Sequence, residues 1–180
     1  MNGYHRLPQF IWIGLIAFFL LHGCSSPSFH PDRPFHRIDP IPEGKALVYF
    51  YRPPEVQGAE LRYPVYRLRP DGKPVRIAVL YNGGYYPYVT KPGEITLYAK
   101  SAIRRYRDAI PTQSINFTLK SGDVRFVRTY TGGVAATLGL PKALVQVKPD
   151  IGESEIQACS LIPEELFPKP SLEAIPKEWR

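Results

Sequence analysis

The sequence predicts an all-β domain, a single antiparallel β-sandwich, and three observations predict it. Twenty prolines and fourteen glycines in 180 residues cut the chain into short pieces. The apolar residues lean to Tyr, Val, Ile, Leu and Phe, with one Met. β-Branched and aromatic side chains suit a pleated, half-buried surface. Turn signals recur about every eight to twelve residues, which is the rhythm of a sandwich or small barrel.

The elements follow in order from Lys45. Residues 46–51, ALVYFY, are an unbroken apolar run, read as a central strand buried on both faces and stopped by Arg52-Pro53-Pro54. Residues 65–69 make a second strand. Pro70-Asp71-Gly72-Lys73 turns it, because Asp-Gly is a strong hairpin signal. In residues 75–80, Val75, Ile77 and Val79 alternate with Arg76 and Ala78, predicting one buried face. Asn82-Gly83-Gly84 turns into YYPYVT, where Pro87 predicts an edge position. Lys91-Pro92-Gly93-Glu94 leads to ITLYAK. SINFTLK and VRFVRTY form a hairpin about Ser121-Gly122-Asp123. Residues 131–142 read as a loop, ALVQVK as the last strand, and Glu153 to Cys159 as one or two helical turns.

Four regions result: 1–23, a signal peptide whose apolar stretch is a helix; 24–44, a Pro-rich linker; 45–162, the sandwich; and 163–180, a Pro-rich tail. Residues 1–9 carry Arg6 and no acid, and residues 10–21, FIWIGLIAFFLL, are twelve in a row without a charge. A spanning helix needs about twenty. A polar basic start, a short apolar middle and a small residue at the end make a secretory signal. The linker holds five prolines. At ~3.1 Å per residue it predicts a spacer of roughly 60 Å. In such a segment His30 and His36 read as solvated residues rather than ligands.

Leu21-His22-Gly23-Cys24 closes the apolar run and resembles the lipobox of bacterial lipoproteins. Leu21, Gly23 and Cys24 match; His22 stands where a small or aliphatic residue is usual. The resemblance implies cleavage before Cys24, diacylglycerol on its sulfur and a third chain on the new amine. At roughly 0.8 kcal/mol per buried methylene, two or three chains anchor permanently. Ser25, in place of the Asp that retains such proteins at the inner membrane, implies the outer membrane, facing the periplasm. The strings ALVYFYRP, Pro-Gly-Glu before ITLYAK, and LVQVKPDIGESEIQACSL resemble a bacterial lipoprotein family whose core is classed only as a domain of unknown function. That resemblance covers about residues 45–162. It implies a sandwich like the PEGA-type and transthyretin-like envelope domains, and carries over no catalytic residue.

The formal charge is +7. Arg6 is the one charge before Cys24, which leaves 22 basic and 16 acidic side chains beyond it. A basic surface suits nucleic acid, anionic lipid or acidic polymer. Export removes nucleic acid and leaves anionic lipid, cell-wall polymer and envelope proteins as expected partners. Arg104, Arg105 and Arg107 are the candidate contacts with an anionic surface, by bidentate hydrogen bonding. Tyr85, Tyr86 and Tyr88 are a candidate aromatic ligand face, against which stands ordinary cross-strand packing.

Catalytic chemistry is hard to place. His5, His22, His30 and His36 all precede the predicted body, and a Ser-His-Asp or Cys-His mechanism needs a positioned imidazole. Asp71, Glu94, Asp123 and Asp150 fall in turns, where acids make local hydrogen bonds. Lys100-Ser101 and Lys120-Ser121 are adjacent pairs, and strand neighbours point to opposite faces. Gly132 to Gly139 lacks the Gly-Lys-Ser/Thr of a phosphate loop. With Cys24 acylated, Cys159 has no partner for a disulfide and reads as a small buried hydrophobe. Two cysteines build no zinc site. The expectation is a non-enzymatic envelope protein without cofactor or metal that binds or scaffolds. The alternatives are an envelope enzyme such as a cell-wall hydrolase, and a non-lipidated periplasmic protein.

Overall fold

The structure is a computed structural model, and it describes residues 33–100, 114–129, 144–163 and 166. Among the described residues, nine strands and one helix run in the order β1 (Ala46–Arg52), β2 (Tyr63–Leu68), β3 (Pro74–Leu80), β4 (Gly84–Thr90), β5 (Gly93–Ala99), β6 (Ile115–Leu119), β7 (Val124–Arg128), β8 (Val145–Val147), α1 (Pro149–Ile156) and β9 (Ser160–Leu161). They form two packed sheets, ordered β8-β7-β1-β4-β9 and β3-β2-β5-β6. The chain is therefore an all-β sandwich. It departs from a purely antiparallel one, because β1 pairs with β7 and β4 with β9 in parallel.

β1 is the centre of the larger sheet and all seven of its residues are buried. Its alternate side chains feed two cores. Ala46, Val48 and Phe50 point between the sheets, where they meet Val65, Leu97, Tyr86 and Val127. Leu47, Tyr49 and Tyr51 point outward and are covered as well, with Phe126, Ile156, Cys159 and Ile38. A continuous apolar run follows from burial on both faces, as in a strand with layers above and below.

The outer cover has two parts. One is α1. Pro149 opens it with Asp150 in the first turn, favourable placements for a ring without N–H and for a charge facing the helix dipole. It lies so close to β7 that a Cβ on Gly152 would sit 2.4 Å from Cβ and Cγ of Phe126. The other part is the second half of the segment expected to be a free spacer. From Arg33 onward that segment belongs to the folded body. It is not a free spacer: Phe35, Ile38 and Ile41 pack on the sheet. The Ile38 N–H donates to the Tyr49 hydroxyl at 2.7 Å, and Arg37 pairs with Glu153 of α1. Burying three apolar side chains offsets the ordering of the strap.

Two local features differ from simple alternation. In β3 the register shifts opposite Val65 and Tyr66. Ile77 is the extra residue of a bulge, so Ile77, Ala78 and Leu80 are all buried and Val79 is partly buried against the core. Pro87 lies in a strand flanked on both sides, yet it obeys the edge rule. β9 covers only Gly84 and Tyr85. The Tyr85 carbonyl points to the β9 side, where it accepts from Ile162 N–H, and two residues on, Pro87 turns its missing N–H toward the same open edge. The β2–β3 turn is the expected Asp-Gly hairpin, with Gly72 at φ +75° and Arg69 and Lys73 closing it.

Candidate functional site

The strand register sorts the loops into two poles. Arg52 pairs with Gly84, Tyr63 with Leu80, and Val65 with Ala99. The ends of β1, β3, β5 and β7 and the start of β4 therefore share one pole with loop 53–62. The tight turns 69–73, 91–92 and 120–123 lie at the other. The strap enters at the first pole: Pro34 bridges Ser160, the Leu161 N–H donates to the Arg33 carbonyl at 3.0 Å, and Ser160 N–H to Gly83 at 2.8 Å.

The most elaborate construction in the described chain is loop 53–62 at this pole. Arg52, with no exposed surface, is its post. Nη1 donates to the Leu61 carbonyl at 2.7 Å and Nη2 to the Gly58 carbonyl at 2.7 Å. Glu55 lies 3.5 Å from Nη2, and the guanidinium carbon sits 5.1 Å from the Tyr63 ring centroid. A second clamp joins the loop to the 82–84 turn. Glu55 N–H donates to Asn82 Oδ1 at 2.8 Å, and Asn82 Nδ2 to the Glu55 carbonyl at 2.9 Å. Arg is suited to this role because its planar fork reaches two carbonyls at once. The sequence reads Arg52 only as the residue that stops β1. A charge closing an apolar run before Pro53-Pro54 is the one signal it gives. What the loop presents is Val56, 98% exposed; Arg62, at the loop's end, is also exposed and lies 5.0 Å from the Tyr81 ring centroid.

A second polar cluster lies beneath α1. Glu155 accepts from the Tyr51 hydroxyl at 2.6 Å and from Arg128. Burial first, then this bond, push the Tyr51 phenol up, so it stays protonated and donating. Cys159 is buried, donates to the Arg52 carbonyl at 3.6 Å, and has its thiol pushed up to about 12 by burial and then by the Glu155 charge. A protonated thiol is no nucleophile at neutral pH. The cluster fastens the helix to β1 and β7.

Tyr85, Tyr86 and Tyr88, the candidate aromatic ligand face, are all buried and take the packing role instead. Tyr85 lies under the strap, edge-on to Phe35 at 5.3 Å. Tyr86 and Tyr88 fill the inter-sheet core, and the Tyr88 hydroxyl accepts from Arg67 at 3.1 Å. The half-exposed aromatic pair is instead Tyr66 and Tyr98 on the smaller sheet, stacked on each other at 5.5 Å. Arg104, Arg105 and Arg107, the expected anionic contacts, lie outside the described residues, as do Leu21, Gly23, Cys24 and the apolar run. His36, grouped with the spacer, lies on the docked strap with its side chain exposed. Of the acids expected in turns, Asp71 and Asp123 make the local bonds, to Lys73 and Lys120 N–H; Glu94 lies in β5 and Asp150 in α1.

A shallow hollow of about 220 Å³ opens between β7, β8 and the start of α1, with Arg125 and Lys148 at its rim. Arg125 is turned to Asp123 at 3.0 Å. Among the described residues, no group of three or more His, Cys, Asp or Glu could hold a metal ion. Comparison with protein-family models, curated proteins and solved structures finds no match for the chain.

Proposed function

We propose that this chain is a lipid-anchored protein of the bacterial cell envelope, held through Cys24 at the outer membrane and facing the periplasm. Its sandwich acts by binding or scaffolding, without catalysis. The observation that carries the reading is Leu21-His22-Gly23-Cys24 at the end of a twelve-residue uncharged apolar run. Such a run is too short to span a bilayer comfortably and has the length of a signal core.

The folded body supports it in two ways. Arg33, the first described residue, is already tied to Leu161, and residues 25–32 separate it from Cys24. At no more than ~3.6 Å per residue, those nine steps span about 30 Å. A short tether ending in a packed strap suits a domain kept beside its anchor. The ionisable clusters of the described body also have structural tasks: Arg52 holds a loop, and Glu155 is bonded to Tyr51 and Arg128.

The test is metabolic labelling with palmitate in cells that process bacterial lipoproteins. The chain takes up label and fractionates with the outer membrane; Cys24→Ala takes up none and accumulates as the longer precursor. Label that persists in the variant, or none in the parent, overturns the reading. Crosslinking in cells then identifies the bound component.

A further inference from the structure

We propose that the pole carrying loop 53–62 is the membrane-facing end of the domain, and that Val56 enters the interfacial layer of the anionic bilayer to which the chain is anchored. The inference rests on acylation of Cys24, and its occupant is a lipid surface.

Three observations converge on it. The strap is tied at this pole, through Arg33 to Leu161 and Pro34 to Ser160. The tether beyond it reaches about 30 Å at most. A seven-residue strand such as β1 is about 23 Å long. Standing on the opposite pole would lift the entry point by at least that strand length plus its turns, leaving the tether almost fully stretched. Standing on the entry pole needs almost none of it, so chain entropy favours that orientation.

The second observation is the loop itself. An apolar side chain 98% exposed at the tip of a loop is unremarkable if the loop is loose. Here the loop is fixed by a fully buried arginine and by reciprocal bonds with Asn82. A rigid mount holds Val56 out in solvent, and no ordering is left to be done on contact.

The third is charge. Arg33 and Arg62 are exposed at this pole, where Glu60 is the one exposed acid of loop 53–62 and Glu55 is turned to Arg52, and the chain beyond Gly23 is net basic. A basic residue within a Debye length of an anionic surface is drawn to it. An exposed valine with exposed arginines at the same pole is an arrangement an interface of apolar tails and phosphates accepts.

The experiment uses the acylated full-length protein in vesicles of phosphatidylethanolamine and phosphatidylglycerol. Cys24 is blocked by lipid and Cys159 is buried, so Val56→Cys introduces one reactive thiol, and Asp71→Cys does the same at the far pole. Each carries an environment-sensitive fluorophore. The Val56→Cys probe is expected to shift to the blue and to be quenched several-fold more by spin-labelled lipid than the Asp71→Cys probe. Arg62→Glu should reduce that difference, with unfolding midpoints unchanged. Equal quenching at the two poles in acylated protein overturns the orientation and leaves the anchor standing. A blue shift of the Val56→Cys probe in detergent that grows with protein concentration marks a second copy of the chain and also overturns it. Protein recovered without acyl chains, by intact mass, overturns both.

Discussion

Arg52→Met removes the guanidinium while keeping an unbranched side chain of similar reach. The two bonds it loses, to the Leu61 and Gly58 carbonyls at 2.7 Å, have a charged donor, and such bonds contribute about 1.5–3 kcal/mol each. Two opposing effects reduce the sum. The loop lies at the surface, so the freed carbonyls regain water, and methionine no longer carries the desolvation cost of a buried cation. A net loss of about 2–4 kcal/mol remains. It should be localised, because Arg52 ties loop 53–62 to β1 while the sheets pack independently of it. Urea unfolding gives the total. Amide exchange gives the place: Glu55 and Leu61 N–H, bonded to Asn82 and Gly58, should lose protection, while Val48 and Phe50 in β1 keep it relative to global unfolding. A loss under about 1 kcal/mol with unchanged exchange at Glu55 and Leu61 would refute the role assigned to Arg52.

Three other outcomes follow from the packing. Gly152→Ala places a methyl 2.4 Å from Phe126 and should cost about 1–3 kcal/mol by overpacking, with near-ultraviolet dichroism of the tyrosine cluster reduced; a neutral urea midpoint would contradict the closeness of α1 to β7. Phe35→Ala removes the ring set edge-on to Tyr49 at 5.2 Å and Tyr85 at 5.3 Å; it should cost about 2–4 kcal/mol and open the 33–41 strap to limited proteolysis. Alkali should destabilise the fold. Burial raises the Cys159 thiol from 9.0 to about 12 and the Tyr49 phenol from 10.0 to about 12, and raises Tyr85 as well. The folded state therefore holds protons that the unfolded chain releases. Stability is full below about pH 9 and falls as pH rises toward 12, by up to about 1.4 kcal/mol per pH unit per group. Cys159→Ala should flatten the early part of the fall, and a stability rising between pH 9 and 11 would contradict the burial of these groups.

The sandwich was legible because its signals are local. ALVYFY announces a strand buried on both faces, and Asp71-Gly72 marks its hairpin. What hides is what depends on contacts distant in sequence. Nothing in VYRLR or VRIAVL announces the bulge at Ile77, which answers to the fit of β3 against Tyr63–Leu68. The parallel pairing of β7 with β1 joins segments about eighty residues apart. The prolines of residues 33–42 read as a spacer, and they do not say whether Phe35 and Ile38 find a sheet to lie on. Tyrosines gathered near a Gly-Gly turn look alike in sequence whether their rings face water or core; here β4 is covered on both sides. Arg52 reads as a breaker because a buried arginine is rare, and only the carbonyls of a loop folding back over it make it tolerable.

The central claim is attachment through Cys24, and intact-mass spectrometry of the detergent-extracted chain tests it most directly. The account predicts a polypeptide beginning at Cys24 that carries a diacylglyceryl group and a third acyl chain. A chain that begins at Met1, or one cut elsewhere and free of acyl mass, would contradict it.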